Sequence, residues 1–211
     1  MKKILLTGFE PFGGDSLNPS EEIARQLSGS VIARHEIAGA LLPCVFGAAL
    51  KELKLLIRRH EPALVICTGQ AAGRSEITPE RVAINVDDAR VVDNAGQQPV
   101  DKPVIKAGPV AYWSTLPIKA IVQELRKRGV PAAISQTAGT FVCNHIFYGL
   151  MHELRAWPGV RGGFIHLPHL PEQANGGASM PFEQMTTGMR LAIETAVTYR
   201  RDVKAAGGRE T

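Results

Sequence analysis

The sequence is poor in cysteine. Its 211 residues hold three, Cys44, Cys67 and Cys143. The number is odd, the spacing is wide and no CxxC pair occurs, which argues against a disulfide framework and a cysteine-based zinc site. Long apolar runs are missing too. None approaches the roughly 20 residues that cross a bilayer. The apolar part of the opening MKKILL, Ile4 to Leu6, is too short for the core of a secretion signal. No dense basic run occurs either. Lys and Arg number 24 against 20 Asp and Glu, a net charge of +4 spread along the chain. That pattern fits solvated surface and not a nucleic-acid footprint. Internal repeats and linkers are also lacking. The expectation is one cytoplasmic domain over residues 1–204, with a frayed polar tail at 205–211 and no membrane or nucleic-acid partner.

What is present is an alternation of strand and helix signals. KKILLTGF (2–9) is a continuous apolar run ending at glycine, the pattern of a buried parallel strand. NPSEEIARQLS (18–28) reads as a helix. Asn18 can cap it, Pro19 suits the first turn, and Glu21 and Glu22 sit at its positive end. VIARHEIAGALLP (31–43) reads as a strand, FGAALKELKLLIRRHEP (46–62) as an amphipathic helix, and ALVICTG (63–69) as another buried strand. Residues 78–101 break the rhythm. Their alternation predicts an inserted β-hairpin with turns at Asp87–Ala89 and Asn94–Gly96. A helix over 116–131, a strand over 132–139, a helix over 142–157, a strand within 161–171 and a closing helix over 180–202 follow. The whole predicts a three-layer α/β/α sandwich around a mostly parallel central sheet.

In such folds ligands bind beyond the carboxyl ends of the strands. Four loops meet there: TGFEPFGG, CTGQAAGR, QTAGTFVCNH and IHLPH. Cys143 opens a helix just after a strand-turn unit, where free amides and the helix dipole favour a thiolate. A lone cysteine is as readily a small buried hydrophobe, so both readings stand level for Cys143. Cys44 and Cys67, inside apolar strand sequence, read as core. A thiol nucleophile needs a base. His145 is near in sequence, but side chains two apart on a helix diverge by about 200°, so it reads as structural. His166 ends its own strand and can point over the sheet. It is the first choice, and His169 the second. Glu80 is a candidate acceptor to hold the histidine's tautomer, but on sequence alone it reads more readily as a charge flanking a turn.

The glycines of GFEPFGG lack the Lys-Ser/Thr of a P-loop and do not form GxGxxG. Phe9 and Phe12 point instead to apolar walls around a small, flat, weakly charged ligand. Cys143, His145 and His166 match no metal-ligand spacing, so no metal is expected.

Taken together, GFEPFGG (8–14), NPS (18–20), GQAAGR (69–74), TPERVAIN (78–85), DNAGQQPVD (93–101), AGTFVCNHIFYG (138–149) and IHLPHLPEQ (165–173) carry a resemblance. The chain resembles the pyroglutamyl peptidase type I family, cysteine peptidases that release N-terminal 5-oxoproline from peptides. The resemblance implies an α/β/α sandwich, no cofactor, a homotetramer and pyroglutamyl peptides as substrate. It implies Glu80, Cys143 and His166 as the catalytic set and Arg90 as an oxyanion candidate. It implies Phe9, Phe12, Gln70, Phe141 and Val142 around the pyroglutamyl ring. Cys67 departs from the aliphatic or small residue expected there. Two rival classes remain, a phosphate-binding phosphorylase-like enzyme and a non-enzymatic thiol sensor. Release of an amine from a pyroglutamyl amide, blocked by thiol alkylation, separates them from the peptidase.

Overall fold

The computed structural model describes residues 1–208. Its elements run β1 (Lys2–Phe9), α1 (Pro19–Leu27), β2 (Val31–Ile32), β3 (His35–Leu42), α2 (Ala48–His60), β4 (Leu64–Gln70), β5 (Thr78–Pro79), β6 (Val82–Ile84), β7 (Ala111–Trp113), α3 (Ile118–Lys127), α4 (Val142–Glu153), β8 (Arg161–Leu167) and α5 (Phe182–Thr198). Six strands form one sheet in the order β2-β3-β1-β4-β8-β5. The four central strands are parallel, and β2 and β5 are antiparallel at the edges.

Alternation along the strands divides the interior in two. Ile4, Leu6, Ile66, Ile165 and Leu167 face α1, α3 and α5. Leu5, Phe9, Val65, Cys67 and Phe164 face α2 and α4. Both faces are apolar because both are covered, and the result is the three-layer sandwich. Burying one Leu or Ile is worth about 2 kcal/mol, so these two clusters hold the layers together. At Gly8 the layers touch backbone to backbone: a Cβ there would strike the Ser20 carbonyl of α1. Asn18 caps α1 as expected, accepting from the Ser20 amide at 3.0 Å.

Several segments differ from the sequence expectation. Residues 31–43 are not one strand. Ala33 and Arg34 are both left-handed, at φ 47° and 64°, and turn β2 back onto β3. The inserted antiparallel pair exists, but β6 pairs with β7, far along the chain. Asp87, expected in a turn, bridges Lys102 instead, whereas the turn at Asn94–Gly96 forms. Residues 132–139 make only two bridges, Ala132 to Ile77 and Ser135 to Glu80, alongside β5. In the tail after Ala205, which has no regular structure over its described residues, the Gly207 carbonyl accepts from Arg81 at 2.8 Å. Residues 209–211 of that tail lie outside the described residues.

Asn144 of α4 pins β6 in place. It accepts from the Ile84 amide at 3.0 Å and donates to the Ile84 and Val86 carbonyls, both at 2.9 Å. Asn144→Ala strands three part-buried backbone groups, at about 1 kcal/mol each. The expected loss of unfolding free energy in urea is about 2 kcal/mol or more. A protein as stable as wild type would mean that β6 is held by other contacts.

Candidate active site

β4 and β8 run in parallel register, and the pairing sets Gly69 beside His166. Paired residues in a parallel ladder project to the same face, on strands about 4.8 Å apart. Phe164, two residues before His166, belongs to the cluster under α4, so His166 faces α4 as well. Gly69 has no side chain, and the Cys143 sulfur takes that space. A Cβ on Gly69 would lie 2.9 Å from Sγ. The thiol therefore sits over one strand and the imidazole rises from the next. Cys143 is the second residue of α4, 8% exposed, at the helix end where backbone amides lack intrahelical acceptors.

The third group comes from the sheet edge. β5 is only two residues long, and the next residue, Glu80, is 0% exposed. Its amide donates to the Phe164 carbonyl at 2.9 Å. Its Oε1 lies 2.7 Å from His166 Nδ1. A carboxylate only accepts, so Nδ1 carries the hydrogen and Nε2 keeps its lone pair. A second donor reaches the same oxygen: Arg74 Nη1, at 2.8 Å. The sequence reading gave Arg74 no role. The available signal was physical, since a buried glutamate requires a cation nearby, and Arg74 is the arginine in the loop leading into β5.

Burial decides the protonation of the site. It pushes the Cys143 thiol well above the ordinary thiol range, with Cys44 and Glu80 adding; Arg74 and the residue's own amide oppose. The helix start therefore acts in the expected direction but is the smaller effect. Burial also lowers His166 below its ordinary 6.5, against the pull of Glu80. Burial therefore disfavours the charged form of both the thiol and the imidazole. Cys44 and Cys67 are likewise raised, both to about 12. Thiol acidity does not single out Cys143; its seat over Gly69 does.

The ring-binding candidates fall into two groups. Phe12 and Phe141 are half-buried with centroids 5.8 Å apart, and Phe141 meets Phe46 edge-on at 5.4 Å. Phe46 escaped the sequence reading. Phe9, 1% exposed against Phe164, and Val142 lie in the packed layer. Gln70 ends β4 with its amide orientation fixed. It donates to Asp15 at 2.7 Å and accepts from Gln173 at 3.1 Å. Arg90 is exposed, and its side chain makes no hydrogen bond among the described residues. Its loop is tied to the turn before Cys143, because the Asp88 amide donates to Thr140 O and the Thr140 hydroxyl to Asp88 O.

His145 belongs elsewhere. Nε2 accepts from the Gly47 amide at 3.1 Å, so Nδ1 is the nitrogen that donates to Asp87, at 2.9 Å. Both nitrogens are used in fastening α4 to two loops, as a structural histidine requires. No group of three or more His, Cys, Asp or Glu that could hold a metal ion occurs among the described residues.

The site's dependence on Gly69 is testable. Gly69→Ala forces the Cys143 sulfur to rotate, since Phe164 blocks the other side at 3.0 Å. A displacement near 1 Å costs about a hundredfold. The expected result is a loss of that size in turnover at Cys143, with a modest fall in Tm from the added packing. Undiminished turnover would mean that the thiol's seat is immaterial.

The pyroglutamyl peptidase family model matches residues 2–199. A pyrrolidone-carboxylate peptidase of Cupriavidus pinatubonensis is 57% identical over 213 residues, 99% of both chains. One from Bacillus mycoides is 53% identical over 212 residues, again 99% of both. Among solved structures, the pyroglutamyl peptidase I of Bacillus amyloliquefaciens aligns with a TM-score of 0.94 at 48% identity, covering 96% of this chain and 100% of that one. The pyrrolidone carboxyl peptidase of Thermococcus litoralis gives 0.93 at 40%, covering 98% and 100%. The chain belongs to the pyroglutamyl peptidase family of cysteine peptidases.

Proposed function

We propose that this chain removes N-terminal pyroglutamate from peptides, with Cys143 as nucleophile, His166 as base and Glu80 holding the imidazole. The observation that carries the assignment is the seat of the Cys143 thiol over Gly69, one strand from an imidazole whose Nδ1 is held by a buried carboxylate. The thiol attacks the carbonyl carbon that joins pyroglutamate to the next residue, and its proton passes to His166 Nε2. The Cys143 amide, which lacks an intrahelical acceptor at the start of α4, is the first oxyanion donor in this reading, with Arg90 the candidate second donor. One such donor is worth about 3 kcal/mol. The C–N bond then breaks, and the imidazolium gives its proton to the leaving amine. Water adds to the thioester, its proton passes to His166, and pyroglutamate leaves as the Cys143 thiol re-forms.

The substrate's chemistry fits this setting. A pyroglutamyl nitrogen is tied up in the lactam and carries no charge. The pocket needs flat apolar walls and a few polar contacts, not a carboxylate for an ammonium. Phe12 and Phe141 supply the walls, with Phe9 and Val142 behind them, and Gln70 supplies an amide.

The exposed apolar residues support the homotetramer. Val110 and Trp113, on and beside β7, are 85% and 69% exposed, and Val91, Val92 and Val100 are also exposed. Light scattering at micromolar concentration is expected to give four times the 22.8 kDa chain mass; a lone monomer would refute the assembly. No helix among the described residues is long and apolar enough to cross a membrane. The proposed setting is the cytoplasm.

The activity test compares pyroglutamyl, prolyl and glutaminyl amides of one fluorophore. An ammonium buried without a partner costs several kcal/mol, so pyroglutamyl is expected to lead by at least about a thousandfold in kcat/KM. Folded Cys143→Ala is expected to show no turnover, and His166→Ala to lose several orders of magnitude. His145→Ala is expected to lose stability and keep the chemistry. Turnover by folded Cys143→Ala, or similar rates on the three amides, would sink the reading.

A further inference from the structure

Glu80 uses only one of its oxygens. His166 Nδ1 and Arg74 Nη1 both reach Oε1, at 2.7 and 2.8 Å, while Oε2 is buried with no partner. Arg74 is itself held on other sides. Nη1 also donates to the Thr78 hydroxyl, and Nη2 donates to the Thr137 carbonyl at 3.2 Å. The guanidinium comes from the loop after β4, Thr78 from β5, and Thr137 from the turn leading into α4. One arginine therefore ties together three segments that build the site. The proposed proton path does not pass through it.

We infer that Arg74 is a positioning residue that sets the proton affinity of His166, balancing the charge of Glu80 and fixing the carboxylate oxygen that the imidazole faces. The inference rests on the assignment of His166 as base and Glu80 as its partner.

A carboxylate beside a histidine does two things. It holds the tautomer, which leaves Nε2 free to accept, and it attracts a second proton to the ring. The second effect is harmful here, because an imidazolium cannot take the proton of Cys143. The charged and titratable groups that bear on His166 are Glu80 and Arg74. The thiol of Cys143 lies over the neighbouring strand, and the Phe164 ring covers another side at 4.8 Å. Among these, Arg74 is the one positive charge. With it in place, Glu80 can orient the ring without converting it to the cation. The fork suits arginine, since a point charge on a flexible stem does not span Glu80, Thr78 and Thr137 together.

The sign follows directly. Without Arg74, the Glu80–His166 pair takes up a proton at higher pH. Activity needs the free base, so the acid limb of kcat/KM moves to higher pH. The experiment is the pH profile of kcat/KM on a pyroglutamyl amide for wild type, Arg74→Gln, Arg74→Lys, Glu80→Gln and the Arg74→Gln/Glu80→Gln double variant. Arg74→Gln is expected to move the acid limb up by about one pH unit, losing far more activity at acid than at alkaline pH. Arg74→Lys is expected to lower kcat while leaving the limb near its wild-type place. The double variant is expected to have its acid limb above that of Glu80→Gln, since the guanidinium also repels the imidazolium directly. The inference is overturned by an unmoved limb in Arg74→Gln, or by a double variant whose limb coincides with that of Glu80→Gln. If Arg74→Gln fails to fold, the comparison of the double variant with Glu80→Gln decides alone. Wild-type turnover by folded His166→Ala would strike the underlying assignment instead. An inactive His166→Ala beside an unmoved Arg74→Gln limb strikes only the role of Arg74.

Discussion

Glu80 is a carboxylate with no exposed surface, and its burial constrains everything around it. An ion of that size loses several kcal/mol of hydration inside a protein. The loss is offset only if donors arrive with good geometry. Here they arrive from two separate segments and meet at Oε1, an imidazole from β8 and a guanidinium from the loop after β4. The sheet edge is shaped to permit this. β5 pairs with β8 for two residues and then ends. The next residue is Glu80, whose amide still takes the Phe164 carbonyl and which bridges Ser135, while its side chain reaches His166.

The thiol is governed by a different balance. The start of α4 and the cation of Arg74 favour a thiolate, while burial opposes it and prevails. The same burial keeps His166 neutral. Burial thus disfavours the charged form of both groups. Gly69 gives the thiol its seat by omission: the space it leaves is filled by the sulfur.

Much of this was legible in the residues. β1, β4 and β8 are continuous apolar runs, and such runs are what a strand buried on both faces requires. The angular argument that set His145 aside agrees with its two structural hydrogen bonds. Three features were illegible for physical reasons. The turn at Ala33–Arg34 has left-handed residues without the usual Gly or Asn, so the break between β2 and β3 left no mark. The pairing of β6 with β7 spans a long loop, and local alternation cannot name so distant a partner. Arg74 was given no role, because nothing nearby in sequence reveals that position 80 is buried. The four loops at the carboxyl ends were readable as a set, but which side chains of that set touch is a property of register.

The tie between Arg81 and Gly207 joins positions 126 apart, and the bond between Glu80 and His166 joins positions 86 apart. Asp202 reaches back in the same way to cap α3, accepting from the amides of Lys119 and Ala120, each at 3.0 Å. These distances bear on the order of events during synthesis. A nascent chain that has emerged only through α4 has its thiol but lacks β8, and so lacks both the imidazole and the strand that stands between β4 and the edge. The exposed flank of β4 has no proper neighbour during that interval. Contacts this distant also slow folding, since the intervening chain must be ordered before they form. The centre is therefore completed late, when nearly the whole polypeptide is available, and no amino-terminal fragment ending before β8 can carry it.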